Sequence, residues 1–85
     1  MYKVFISNKA EKQLNKIPKE YYLKIYSKMK SLEFNPRPNG CVKLTDTEDY
    51  RIRSGQYRIL YTVNDKQSII EIYNILDRKE AYKKK

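Results

Sequence analysis

The chain contains no histidine, a single cysteine and no long apolar run, and its acidic residues are heavily outnumbered. Each shortage removes a class of explanation. One cysteine permits no intrachain disulfide, and without histidine there is neither a Cys/His metal site nor an imidazole to act as a base near neutral pH. Cys41, with no histidine to activate it, reads as a small buried hydrophobe. No apolar stretch approaches the length of a membrane-spanning helix, and the opening residues 1–6 are too short for a signal-peptide core. The expectation is a soluble, cytoplasmic protein.

What is present is positive charge. Nineteen Lys and Arg against ten Asp and Glu give a formal charge of +9 on 85 residues. A chain of that length makes one small domain, with no room for separate catalytic and binding units. Charge of that density favours a polyanion or an acidic protein as partner, nucleic acid before a membrane surface.

The pattern along the chain predicts an α+β domain. Residues 2–6 are rich in β-favouring side chains and form a first strand that pairs with the sheet built later. Asn8, followed by Glu11, resembles a helix N-cap with its reciprocal acid, and Ala10, Leu14 and Ile17 fall on one helical face. Pro18 closes that helix and opens a second over about residues 18–33, with Tyr22, Ile25, Met29 and Leu32 at core spacing. The run Asn35-Pro36-Arg37-Pro38-Asn39-Gly40 ends it, because each proline disfavours helix in the residue before it. Residues 41–44 form a short strand, residues 45–49 an acidic turn, residues 68–76 a central strand, and residues 77–85 one or two helical turns fading into a basic end.

The segment from Tyr50 to Val63 organises the rest. Alternating apolar and basic residues flank Ser54-Gly55, which predicts two antiparallel strands and a tight turn, since glycine takes the positive φ that a hairpin demands. On the first strand Arg51 and Arg53 share one face while Tyr50 and Ile52 share the other. On the second, Tyr57, Ile59, Tyr61 and Val63 oppose Arg58, Leu60 and Thr62. Three guanidiniums gathered on one face cannot relieve their repulsion by losing protons, so they call for acidic neighbours, solvent or an anion, and a planar fork of donors suits phosphate.

Lys43-Leu44, then Tyr50-Arg51-Ile52-Arg53-Ser54-Gly55, then Tyr57-Arg58-Ile59-Leu60-Tyr61, then Asp77-Arg78-Lys79-Glu80-Ala81-Tyr82 resembles the RelE/ParE superfamily of bacterial and archaeal toxins, RelE-like branch, over nearly the whole chain. The resemblance implies a RelE-like microbial RNase fold: an N-terminal strand, a two-helix hairpin on a mainly antiparallel sheet of about four to five strands, and a short C-terminal helix. It also implies a toxin of a type II toxin-antitoxin system, silenced by a cognate antitoxin, that enters the ribosomal A site and cuts messenger RNA without a metal or other cofactor. By that match Arg58 stabilises the strained phosphate, Arg51 and Arg53 hold the RNA backbone together with Lys79, and Arg78 and Tyr82 complete the site. Lys43 is a looser transfer.

The chemistry agrees with those residue types. Cutting RNA through its own 2′-OH needs in-line attack, donors for the charge on the pentacoordinate phosphorus, and proton transfers at both oxygens. Arginines supply the charge, and Tyr82 can stack on an unpaired base. Many relatives carry histidine just before the tail arginine, where this chain has Asp77. The base is then Tyr82, a lysine such as Lys43, or one of Glu48, Asp49 and Asp77, each with an ordinary pKa far from neutrality. Two other readings stay open: a ParE-like inhibitor of DNA gyrase that cleaves nothing, and a non-catalytic basic RNA-binding module.

Overall fold

The computed structural model describes residues 1–44 and 47–78. Its elements are β1 (Lys3–Ile6), α1 (Asn8–Asn15), α2 (Lys19–Ser31), β2 (Val42–Lys43), β3 (Asp49–Ser54), β4 (Tyr57–Asn64) and β5 (Ile69–Asp77). They form one sheet of order β1-β5-β4-β3-β2, antiparallel except where β1 runs parallel to β5. The α+β arrangement of strand, helix pair and mainly antiparallel sheet is the expected one. The short C-terminal helix was expected over residues 77–85; Asp77 instead ends β5, and residues 79–85 lie outside the described residues.

Both helices lie on one face of the sheet. Ala10 and Leu14 of α1, with Ile25 and Met29 of α2, pack in one cluster with Tyr50 and Ile52 of β3, Ile59 and Tyr61 of β4, and Ile70, Ile72 and Ile75 of β5. Each fully buried side chain of this size stabilises the fold by roughly 1.5–3 kcal/mol. The opposite face is where the basic side chains of the hairpin lie.

Several expected boundaries move by a residue or two. The N-cap of α1 is Ser7, not Asn8: Ser7 is extended (φ −66°, ψ 162°) and its hydroxyl accepts from the Ala10 amide at 3.1 Å. That places Glu11 one position beyond the reach of a capping box. Helix α2 ends at Ser31, two residues before the expected Glu33, as the amides of Leu32, Glu33 and Phe34 tighten onto the carbonyls three residues back.

The hairpin turn is Gly55-Gln56, one residue later than Ser54-Gly55. Positive φ falls on Gly55 (+61°) and not on Gln56, the pattern of a two-residue turn with glycine first. Ser54 then pairs with Tyr57 and Arg53 with Arg58. A turn at Ser54-Gly55 would have set Arg53 opposite Gln56.

Strand β5 carries a bulge that simple alternation does not foresee. Leu60 pairs with Asn74 but Tyr61 pairs with Ile72, leaving Tyr73 as the extra residue. Beyond it the parity of β5 flips, so Ile75 joins Ile70 and Ile72 in the core instead of facing away with Ile69 and Glu71. Strand β1 ends its pairing at Ile72, so the second half of β5 would show an open edge. Gln13 of α1 covers it. Its Oε1 accepts from the Ile75 amide at 2.6 Å, and its Nε2 donates to Asn74 Oδ1 at 2.8 Å. A side-chain amide thus stands in for the missing strand, because a part-buried edge N–H needs a partner.

At the opposite end of the hairpin, polar bonds tie the loop before β2 onto the sheet. The buried Tyr61 donates its hydroxyl to the Pro36 carbonyl at 2.7 Å. Arg37 donates Nε to the Tyr50 hydroxyl at 2.8 Å and lies 5.1 Å from that ring's centroid, while its terminal nitrogens meet Asp65 at 2.9 and 3.3 Å. Tyr2 also donates to Asp65, at 2.6 Å. The Arg37 guanidinium first, and the Tyr2 hydroxyl second, hold the Asp65 carboxyl below the usual carboxylate range.

Two outcomes follow from these contacts. Gln13→Ala leaves the Ile75 amide uncovered and lowers stability by about 1–3 kcal/mol in denaturant titration, with faster exchange of the Ile75 amide than of Ile59. Asp65 has a depressed pKa in the fold, so its contribution is present above its unfolded value of about 3.9 and is lost as pH falls through the lower folded value. Melting curves of wild type and Asp65→Asn therefore differ most near neutrality and converge in acid; a gap that widened below that range would contradict this assignment.

Candidate functional site

The register set by Gly55 creates the most distinctive feature of the surface. Arg53 on β3 and Arg58 on β4 are direct cross-strand partners on the face turned away from the helices. Directly opposed side chains have Cβ atoms only about 4.5–5.5 Å apart, so two guanidiniums here share one local field. Next along β3 on the same face is Arg51, paired with Leu60.

The end of β5 brings the third member. Tyr57 pairs with Asp77, and the Arg78 amide donates to the Gln56 carbonyl at 2.7 Å, fixing Arg78 beside the hairpin tip. Gln56 also directs its side-chain amide toward the two Asp77 carboxylate oxygens, at 3.3 and 3.4 Å. Arg53, Gly55, Gln56, Tyr57, Arg58 and Arg78 together line a cavity of about 140 Å³. Three arginines around so small a space are an arrangement that suits an anion by charge and by the number of donors.

Three of the expected site residues are thus brought together: Arg53, Arg58 and Arg78. Arg51 lies on the same face but does not line the cavity. Lys43 stands apart: its strand pairs it with Tyr50, on the helix side, and its Nζ is 3.8 Å from Glu48 Oε2 at the sheet edge. Lys79 and Tyr82 lie outside the described residues.

Of the carboxylates considered as bases, Glu48 and Asp49 lie away from the arginines, while Asp77 adjoins them through Gln56. Glu48 faces Lys43. Asp49 is near Tyr73, whose phenol is raised in pKa by burial first and by that carboxylate second. Asp77 takes the helix-side parity of Tyr57 and lines a separate cavity of about 320 Å³ with Gln13, Lys16, Ile17, Tyr57 and Ile75. None of the three lines the arginine cavity.

Sequence reasoning passed over Gln56 and Gln13. Gln56 looked like an ordinary turn residue, and its use depends on β5 arriving alongside the hairpin tip. Gln13 is polar on a helix whose apolar stripe drew the attention. No local signal distinguishes either from a solvated glutamine.

Comparisons with known proteins place the chain and its fold. A sequence model of the family described as ParE toxin of type II toxin-antitoxin system, parDE, matches residues 4–82. The crystal structure of the archaeal RelE-RelB complex from Pyrococcus horikoshii OT3 contains a chain that is 34% identical, with a TM-score of 0.83 over 91% of this chain and 94% of that one. The toxin-antitoxin complex RelBE2 from Mycobacterium tuberculosis matches at 22% identity and a TM-score of 0.80, over 91% of this chain and 98% of that one. The isolated E. coli RelE toxin matches at 21% identity and a TM-score of 0.79, over 91% and 84%. At these lower identities the likeness is one of fold. A search of curated proteins found no match.

Opposed like charges destabilise a hairpin, so the arginine pair has a measurable signature. Arg53→Gln raises the melting temperature in low salt, by an amount corresponding to roughly 0.2–1 kcal/mol. Added phosphate narrows the difference by stabilising wild type more than the variant. Equal responses of the two proteins to phosphate would show that the pair does not act as an anion site.

Proposed function

Because this chain belongs to the ParE toxin family of type II toxin-antitoxin systems, as a RelE-like member of the RelE/ParE superfamily, we propose that it is a ribosome-dependent endoribonuclease that cuts messenger RNA in the ribosomal A site. The observation that carries the proposal is the convergence of Arg53, Arg58 and Arg78 on one small cavity beside the hairpin tip. A phosphodiester in that cavity meets donors on several sides.

In this reading the neighbouring 2′-OH attacks in line, and the cavity stabilises the extra negative charge that develops on the phosphoryl oxygens. Arg58, central in the strand pairing, makes the principal contact. Arg53 and Arg51 hold the flanking backbone, Arg78 closes the far side, Tyr82 stacks on an unpaired base, and Lys79 adds a phosphate contact. Orientation by the ribosome and fixed positive charge supply most of the rate. The placement of Glu48 and Asp49 away from the cavity supports an enzyme with weak proton transfer of its own, inactive on naked RNA.

One observation favours a different target: the family model that matches is that of ParE toxins, which in the gyrase-directed reading cleave nothing. The arginine cavity favours the nuclease, since an inhibitor that makes no bond to phosphate has no need of it. The partners in the proposed function are the ribosome with its messenger and a cognate antitoxin. Complexes of RelE with RelB among the similar structures support the latter.

Cell-free translation with purified protein tests the proposal, by mapping new 5′ ends on a defined messenger with and without ribosomes. New ends arise within the reading frame only when ribosomes are present. Arg58→Ala lowers cleavage by about a hundredfold or more, the loss expected for one transition-state contact, and Tyr82→Phe reports whether the hydroxyl takes part. Uncut messenger at micromolar wild-type protein would exclude the nuclease and direct the search to gyrase.

A further inference from the structure

A second recess opens beside the arginine cavity. It holds about 660 Å³ between α2 and the end of β3, and is walled by Leu23, Lys24, Ser27 and Lys28 on the helix and by Arg53 and Gly55 on the hairpin. It is open because β2 covers only Tyr50 and Arg51, leaving β3 from Ile52 to Ser54 without a strand on that side among the described residues. Positions 24, 27 and 28 fall on one face of the helix, so their side chains point along the same wall.

Two properties separate this groove from an ordinary solvated helix face. Its three cations are uncompensated: among the described residues the salt bridges are Lys30 with Glu33, Arg37 with Asp65 and Lys43 with Glu48, and none involves Lys24, Lys28 or Arg53. It also adjoins the arginine cavity, because Arg53 and Gly55 line both. A strand whose scissile phosphate occupies the cavity must leave it by some route, and this exit offers cations and a serine hydroxyl with no carboxylate in its wall. A sugar-phosphate backbone, with one charge at each nucleotide, matches that lining better than an acidic polypeptide.

We propose that the groove between α2 and β3 carries the backbone of single-stranded RNA onward from the arginine cavity, with Lys24, Lys28 and Arg53 as successive phosphate contacts. The proposal rests on the nuclease reading and extends its binding surface to a helix that reading does not use. It assigns Lys24 and Lys28 to binding, and gives the hairpin tip a bridging role between the two recesses.

Uncleavable 2′-O-methyl RNAs of two lengths test it, a dinucleotide that reaches only the arginine cavity and a strand of about ten nucleotides that also reaches the groove. Affinities are measured over a range of salt for wild type, Lys24→Gln/Lys28→Gln, and Lys9→Gln/Lys12→Gln, which removes the same charge from α1. For the longer strand, Lys24→Gln/Lys28→Gln makes the slope of log affinity against log salt shallower by about 0.7 for each phosphate that is no longer neutralised. For the dinucleotide it does no more than the α1 pair. Equal behaviour of the two pairs on the longer strand overturns the groove while leaving the cavity intact. Weaker binding of a polyglutamate peptide, with the longer RNA unaffected, overturns it in favour of a protein partner. Failure of wild type to bind either RNA overturns the groove as a site for a free strand, while the appearance or absence of new 5′ ends in cell-free translation reports separately on the nuclease reading.

Discussion

The pairing of Arg53 with Arg58 across the β3–β4 hairpin is the constraint on which the rest of this molecule turns. Cβ atoms opposite one another on a sheet cannot move apart without breaking the ladder, and arginine cannot discharge. The opposed register is held in place by the apolar face directly beneath, where Tyr50, Ile52, Ile59 and Tyr61 are buried against the helices. Core burial thus keeps two arginine positions opposed on one face, and in the proposed function that sets both at one phosphate. A preorganised anion site has this form: the work of bringing like charges together is done on folding, before the ligand binds.

Rigidity at the two ends of the sheet comes from different contacts. Around the loop before β2, Tyr61, Arg37, Asp65 and Tyr2 bind loop, strand and N-terminal segment together through hydrogen bonds of 2.6–3.3 Å. Much of that network is solvent-exposed, where single ion pairs contribute little, so its role is to restrain geometry more than to add stability. Near the cavity, Gln13 closes the edge of β5 and Gln56 receives the Arg78 amide. Both act on the strand that delivers Arg78. Two neutral residues, Gln13 through its side chain and Gln56 through its backbone carbonyl, therefore fix the strand end that carries a charged one.

Family membership and chemistry answer different questions here. The match over residues 4–82 and the 34% identity to a chain of the archaeal RelE-RelB complex establish a toxin of the RelE/ParE superfamily. A shared fold does not settle what such a toxin acts on, since sites vary on a common scaffold. The local arrangement bears on that question: a basic cavity and a neighbouring basic groove favour phosphodiester chemistry driven by fixed charge. In the proposed function, the surplus of nine positive charges steers the protein toward polyanions at long range and the cavity selects among them at short range.

Much of the fold was legible in the residues themselves. Alternation in the hairpin assigned faces to Tyr50, Arg51, Ile52 and Arg53, and helical spacing identified Ala10, Leu14, Ile25 and Met29 as core, because both periodicities are local consequences of backbone geometry. The motif order pointed to the family, and the arginines it highlighted include all three that meet in the cavity. What the chain did not reveal were features decided by pairing between distant segments. The turn at Gly55-Gln56 was ambiguous by one residue locally, and only the ladder chose the register that opposes Arg53 and Arg58. The Tyr73 bulge arises from matching β5 to β4 and moved Ile75 into the core against simple alternation. Gln13, Gln56 and the separation of Lys43 from the arginines became visible only once α1, the hairpin tip and the sheet edge were set beside their neighbours. Local sequence determines which way a side chain faces along its own element; which groups face one another across elements is determined by tertiary pairing.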